Sequence, residues 1–117
     1  MTMINVNTMT TALDTLMGAI KEDYTRWTSV GGKKEFSEWN LKMIAEFNDS
    51  LSYTVGKNYI RVVTKGSVWG FVVNTDNDKK FPKGTILKAA GWAAPARNFS
   101  RGNVLEGGYT VMWTGTA

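Results

Sequence analysis

Arg97, Asn98, Arg101 and Asn103 place four polar hydrogen-bonding side chains within seven positions, with Phe99 among them and Trp92 shortly before. Arginine presents a planar fork that matches phosphate and carboxylate, and asparagine offers a donor and an acceptor together. Trp92 and Phe99 are rings that can stack on bases or on a guanidinium plane. The segment Phe81–Asn103 has no clean helix or strand period, and small residues (Ala89, Ala90, Gly91, Ala93, Ala94, Ala96) surround these side chains. Such composition lets backbones approach closely while a loop presents polar groups, as binding loops do. The structural alternative is a loop whose arginines satisfy buried carbonyls and whose Trp92 anchors it to the core. One loop can do both.

A second set of cations lies on and around the expected strands: Lys57, Arg61, Lys65, Lys79, Lys80, Lys83 and Lys88. Arg61 and Lys88 join the candidate binding residues. Interleaved with aromatics, such a set matches the footprint of a nucleic-acid-binding sheet or barrel. Lysine also blunts sheet edges against aggregation, so a solvated rim is the competing explanation. The net charge of +4 is unevenly spread. Residues 1–50 carry Lys21, Arg26, Lys33, Lys34 and Lys42 against seven acids, whereas residues 51–117 carry nine bases against Asp76, Asp78 and Glu106. The basic half is expected to face something anionic. Neither a ribonucleoprotein-type aromatic strand motif nor a Gly-x-x-Gly clamp is present.

Other candidate chemistry is thin. Asp76-Asn77-Asp78 alternates like a calcium loop but lacks the further ligands and the distal bidentate Glu, so it reads as a turn. Glu38 and Glu46 share an exposed helical face, and with Glu35 and Asp49 they form no acid–base pair. Absence of cysteine removes disulfides, thiolate zinc sites and Cys nucleophiles. Absence of histidine removes the usual general base and the commonest metal ligand. A non-enzyme with no cofactor and no metal is expected. No run approaches the roughly 18 apolar residues of a membrane span, and the N-terminus lacks the pattern of a signal peptide. A soluble intracellular protein is the expectation.

The elements that must position these side chains follow from periodicity. The 117 residues suit one domain, with an arm over 1–9, a helical hairpin over 10–51 and a β-rich part over 52–117. Thr11-Ala-Leu-Asp14 reads as a capping box, followed by an apolar stripe of Leu13, Leu16, Met17, Ile20, Tyr24 and Trp27. That helix should fail before Gly31-Gly32. A second helix starts near Lys34 or Ser37 and ends at Asp49, with Phe36, Trp39, Met43, Ile44, Phe47 and Leu51 as its stripe. Strands are expected at Tyr59–Lys65, Val68–Val73, Thr85–Ala89 and Tyr109–Thr114, with a hairpin turn at Gly66-Ser67. Val68–Val73 is nearly all apolar, which suits burial on both faces. The fold class is α+β: a two-helix hairpin packed on an antiparallel sheet, or on a small half-open barrel, of four to five strands.

Residues 57–117 resemble a family of small, functionally uncharacterised bacteriophage proteins. The likeness rests on Lys57–Val63, on Phe81–Asn103 (FPKGTILKAAGWAAPARNFSRGN) and on Trp113-Thr-Gly115. Family members read FxxGDILKAASWxAPAxNxARGN over the central part, and this chain has Thr85 and Gly91 at the Asp and Ser positions. The resemblance implies a phage source and work in the cytoplasm of an infected bacterium, and it brings no catalytic residue and no ligand. The expected partner is nucleic acid, held by the basic half, or alternatively a host or defence enzyme that the protein inhibits, as an anti-restriction or anti-CRISPR protein would. A symmetric homodimer is compatible with exposed strand edges.

Overall fold

The computed structural model describes residues 8–28 and 37–116. Helix α1 spans Thr8–Thr28, and Leu13, Leu16, Met17, Ile20 and Tyr24 are all buried at their three- and four-residue spacing. It starts before the expected capping box. Thr11 lies inside the helix, where its carbonyl accepts the Thr15 hydroxyl at 3.1 Å. The tract 8–12 contains no breaker, and Met9 and Ala12 pack against the core, so apolar contact carries the helix one turn further. Residues 8 and 9 thus belong to α1, while residues 1–7, the Gly31-Gly32 break and Phe36 lie outside the described residues.

Helix α2 spans Glu38–Ser50. Its start is set by Ser37, whose hydroxyl accepts the Asn40 amide at 3.1 Å while the Asn40 side chain accepts the Ser37 amide at 3.2 Å. This reciprocal cap satisfies two otherwise free donors. The helix touches the core mainly through its C-terminal half: Phe47 is fully buried and stacks on Tyr24 at 4.1 Å between ring centroids. Trp39, expected on the buried stripe, is 65% exposed, because the first turn projects past the contact.

Strands β1 (Ser52–Val55), β2 (Tyr59–Thr64), β3 (Ser67–Val73) and β4 (Ile86–Leu87) form an antiparallel sheet in sequential order. The sheet is open, with β1 and β4 at its edges, so the half-open-barrel alternative does not hold. The architecture is α+β. Both helices cover one face, where Ile60, Val62, Trp69, Val72 and Ile86 meet α1 and α2. The β2–β3 turn is Lys65-Gly66, one residue earlier than expected, with φ of 46° and 79°. Two positive values are what a type I′ loop demands, and Ser67 is left to pair with Thr64.

A β-bulge gives β3 its two buried faces. Val62 pairs with Gly70 but Val63 pairs with Val68, which leaves Trp69 without an opposing residue. The extra residue reverses the alternation. Trp69 therefore joins Val72 in the helix-side core, while Val68 joins Phe71 and Val73 in a second apolar cluster with Phe81 and Leu87. Trp69 is only 3% exposed, and burial of a side chain of this size stabilises by about 3 kcal/mol.

The C-terminal strand expected over Tyr109–Thr114 is instead a short hairpin, β5 (Val111–Met112) and β6 (Gly115–Thr116). The chain reverses at Trp113-Thr114, and Gly115 takes the φ of 156° that follows. Tyr109, Val111 and Trp113 still pack on the helix-side core, as their alternation predicts. Asp23 accepts the Trp113 amide at 2.8 Å, and the Trp69 indole donates to the Met112 carbonyl at 2.8 Å. These bonds fasten the hairpin to α1 and β3.

Candidate functional site

The segment after β4 is a backbone ladder rather than a free loop. The Ala90 and Gly91 amides donate to the Ala94 carbonyl, and the Ala96 amide donates to Lys88 at 2.7 Å, so the chain turns back on itself around Trp92-Ala93. The returning limb then runs beside β4: Arg101 donates to the Ile86 carbonyl, Ile86 to Gly102 and Val104 to Gly84, all within 2.9 Å. The small residues permit this approach. A Cβ on Gly102, whose φ is 131°, would lie 2.6 Å from the Cβ of Tyr109. The expected third strand shortens to Ile86–Leu87 because its ends make isolated bridges instead, Thr85 to Asn103 and Ala89 to Pro95.

The ladder lies over the face away from the helices. Arg97 makes a two-pronged ion pair with Asp78, at 2.8 and 2.9 Å, donates to the Tyr59 hydroxyl at 2.6 Å and sits 5.1 Å above the Phe81 ring. Asp78 also accepts the amides of Lys80 and Phe81, each at 2.9 Å. The Arg97 hydrogen bonds, followed by those two amides, hold the Asp78 carboxyl well below the usual carboxylate range. Asp78 in turn, and then Tyr59, push the Arg97 guanidinium higher still. Lys80 reinforces the junction by donating to the carbonyls of Arg97 and Asn98. Arg97 is therefore a cross-strut between the ladder, β2 and the 74–80 loop.

Asn103 is a second strut. It is buried, donates to the Lys83 carbonyl at 3.0 Å and accepts the Leu105 amide at 2.8 Å. The Asn98 side chain accepts the amide of Phe99 at 3.0 Å. Thr85 is buried and donates to the Pro82 carbonyl at 2.6 Å, whereas Gly91 faces open space.

The other two arginines are placed differently. Arg61, on β2, lies 4.7 Å over the Trp92 ring and donates to the Trp92 carbonyl at 3.3 Å. Arg101 lies 4.0 Å over the Phe99 ring. Trp92 is 55% exposed and Phe99 is 52% exposed, so each ring is backed by a cation on one side and open to solvent. Among the described residues neither arginine has an acidic partner, and the Nε of each is buried without a hydrogen bond. Of the candidate residues, Trp92 with Arg61 and Phe99 with Arg101 thus form two stacked pairs, whereas Arg97 and Asn103 hold the fold. Lys88 is exposed beside a separate groove with Val68, Trp69 and Met112. Lys65 belongs to the helix side, 5.7 Å from the Tyr24 ring.

Asp78 and Tyr59 were missed as site-forming residues. The signals were present: Asp78 is one of three acids among nine bases in residues 51–117, and Tyr59 shares a strand face with Arg61 at a spacing of two. Burial pushes the Tyr109 phenol up. Among the described residues no cluster of three acidic groups could hold a metal ion, and no helix is long and apolar enough to cross a membrane. The chemistry on offer is stacking and anion recognition. Comparisons with protein-family models, with curated proteins and with solved structures find no match to this chain.

Proposed function

We propose that this chain is a non-enzymatic protein that binds single-stranded nucleic acid on the ladder side of its sheet. The observation that carries this reading is the pair of exposed rings, Trp92 and Phe99, each backed by an arginine without an acidic partner among the described residues. Every base has a π-face, so two such platforms accept unpaired bases of any sequence, while duplex bases stay hidden in their stack. Arg61 and Arg101, beside the two rings, supply the phosphate contacts. The likeness of Phe81–Asn103 to the phage-family motif is our reason for placing this activity in the cytoplasm of an infected bacterium.

Fluorescence anisotropy with labelled single strands of DNA and RNA, and with a duplex of equal length, tests the reading. Single strands should bind more tightly than the duplex. With about two phosphates neutralised, log affinity should fall with log salt at a slope of about −1.4. Absence of binding to any of them at low salt overturns it.

A second reading, inhibition of a host or defence enzyme, is favoured by Trp27, Trp39 and Leu41 on the helices, which are 57%, 65% and 54% exposed. Large aromatics of this kind anchor protein interfaces. A stoichiometric partner from bacterial lysate that is lost on Trp39→Ala, and retained on Arg101→Ala, would support this reading over the first. Recovery of no such partner counts against it.

A further inference from the structure

A cavity of about 420 Å3 opens between the β1–β2 turn and the 74–80 loop, and no residue of the two stacked pairs lines it. Lys57, Asn58, Tyr59, Thr75, Lys79 and Arg97 line it, together with Asn77 and Asp78. Its frame is fixed by backbone contacts. The Asn74 amide donates to the Asn58 carbonyl at 2.8 Å, the Asn74 side chain donates to the Gly56 carbonyl at 2.8 Å, and the Gly56 amide donates to Tyr59 at 2.9 Å.

The charged and hydroxyl groups of the lining have their acceptors occupied, while the Asn58 and Asn77 side-chain amides offer a donor and an acceptor each. The Asp78 carboxylate already accepts two bonds from Arg97 and one each from the Lys80 and Phe81 amides. The Tyr59 oxygen accepts from Arg97, and the Thr75 oxygen accepts the Asn77 amide at 3.1 Å. Both hydroxyl hydrogens remain to be donated. Lys57 and Lys79 have neither an ion pair nor a hydrogen bond among the described residues, so the formal charge left in the cavity is theirs. Two free ammonium groups and two free hydroxyl hydrogens, beside two amides that can each turn their NH2 inward, describe a place for a group that only accepts. A terminal phosphate fits: it carries nearly two negative charges and three strong acceptor oxygens. The volume exceeds that of the phosphate alone and falls in the range of small-ligand pockets.

The geometry points to a phosphomonoester site in this cavity, with Lys57 and Lys79 on the phosphate charge, and Tyr59 and Thr75 donating to its oxygens. Its ligand is a nucleotide-sized phosphate ester or the phosphorylated end of a strand. The site does not depend on the stacking face.

Amide chemical shifts and isothermal titration at constant ionic strength test it, with inorganic phosphate, adenosine 5′-monophosphate and chloride as probes. Phosphate and the monophosphate should shift residues 57–59 and 75–79, and chloride should not. Lys57→Gln with Lys79→Gln should weaken phosphate binding at least about tenfold, given the strength of charged hydrogen bonds. Lys83→Gln, outside the lining, should leave it unchanged. An oligothymidylate with and without a 5′-phosphate separates the two sources: tighter binding of the phosphorylated form identifies a strand end, and equal binding identifies a free ester. Equal responses to phosphate and chloride, or full binding by the double variant, overturn the site. Strand binding that is lost in Trp92→Ala with Phe99→Ala while phosphate still binds shows that the two surfaces stand or fall separately.

Discussion

Replacing Asn103 by alanine distinguishes a strut from a ligand-binding residue. The side chain is 9% exposed and joins two backbone groups, the Lys83 carbonyl at 3.0 Å and the Leu105 amide at 2.8 Å. Alanine supplies neither partner. A buried backbone group left without a hydrogen bond costs about 1–3 kcal/mol. Lys83 is half-buried and Leu105 is exposed, so water reaches both in part and the lower half of that range applies. The expected loss is about 2–4 kcal/mol in total. Unfolding entropy of about 2 cal/mol/K per residue converts this, for a chain of this length, into a fall in Tm of about 8–16 °C. Thermal melting followed by circular dichroism reads it directly. Asn103→Asp should fall as well, because it sets a second oxygen against the Lys83 carbonyl. A melting point within about 2 °C of the parent, with strand binding lost, would refute the strut and return Asn103 to the ligand.

Three further outcomes follow from other contacts. Because the Asp78 carboxyl is held well below the usual range, the folded protein resists protonation there more than the unfolded chain does. Its stabilising effect is complete above the unfolded value of about 3.9 and fades as pH falls toward the folded one; Asp78→Asn should flatten the acid limb of Tm below about pH 4, and parallel limbs would contradict this. Lys65 takes a φ of 46° that asparagine tolerates better, so Lys65→Asn should stabilise by about 0.5–1 kcal/mol in a denaturant titration. Trp92→Ala and Phe99→Ala should each leave Tm within about 2 °C while weakening single-strand binding about five- to a hundredfold.

Periodicity carried much of the fold. Leu13, Leu16, Met17, Ile20 and Tyr24 announced α1, and the β-branched run at Tyr59–Thr64 announced β2, because each pattern repeats over several turns or pleats. The apolar run of β3 pointed to burial on both faces, which it has. The bulge that divides those faces was not legible, since it depends on how two strands pair. Helix ends and turns shifted by one to three residues, as at Thr8 and Lys65, where tertiary contact outweighed the local signal. In the candidate site, the residue types of the 92–103 loop were visible but their division of labour was not. Arg97 and Arg101 look alike in sequence, and they differ because Asp78, nineteen positions from Arg97, reaches one of them.

The unopposed Trp69 also fixes the phase of β3. Ser67–Trp69 and Gly70–Val73 are two stretches of one strand written in opposite frames, joined where the extra residue sits. Removing a single residue there would merge the frames and turn the hairpin end of β3 over relative to the sheet. Sliding β3 by one position along β2 would put the side chains of both stretches on the wrong face. The junction therefore acts as a ratchet tooth that admits one alignment of the strands, and the ladder hung from β4 inherits its position from that tooth.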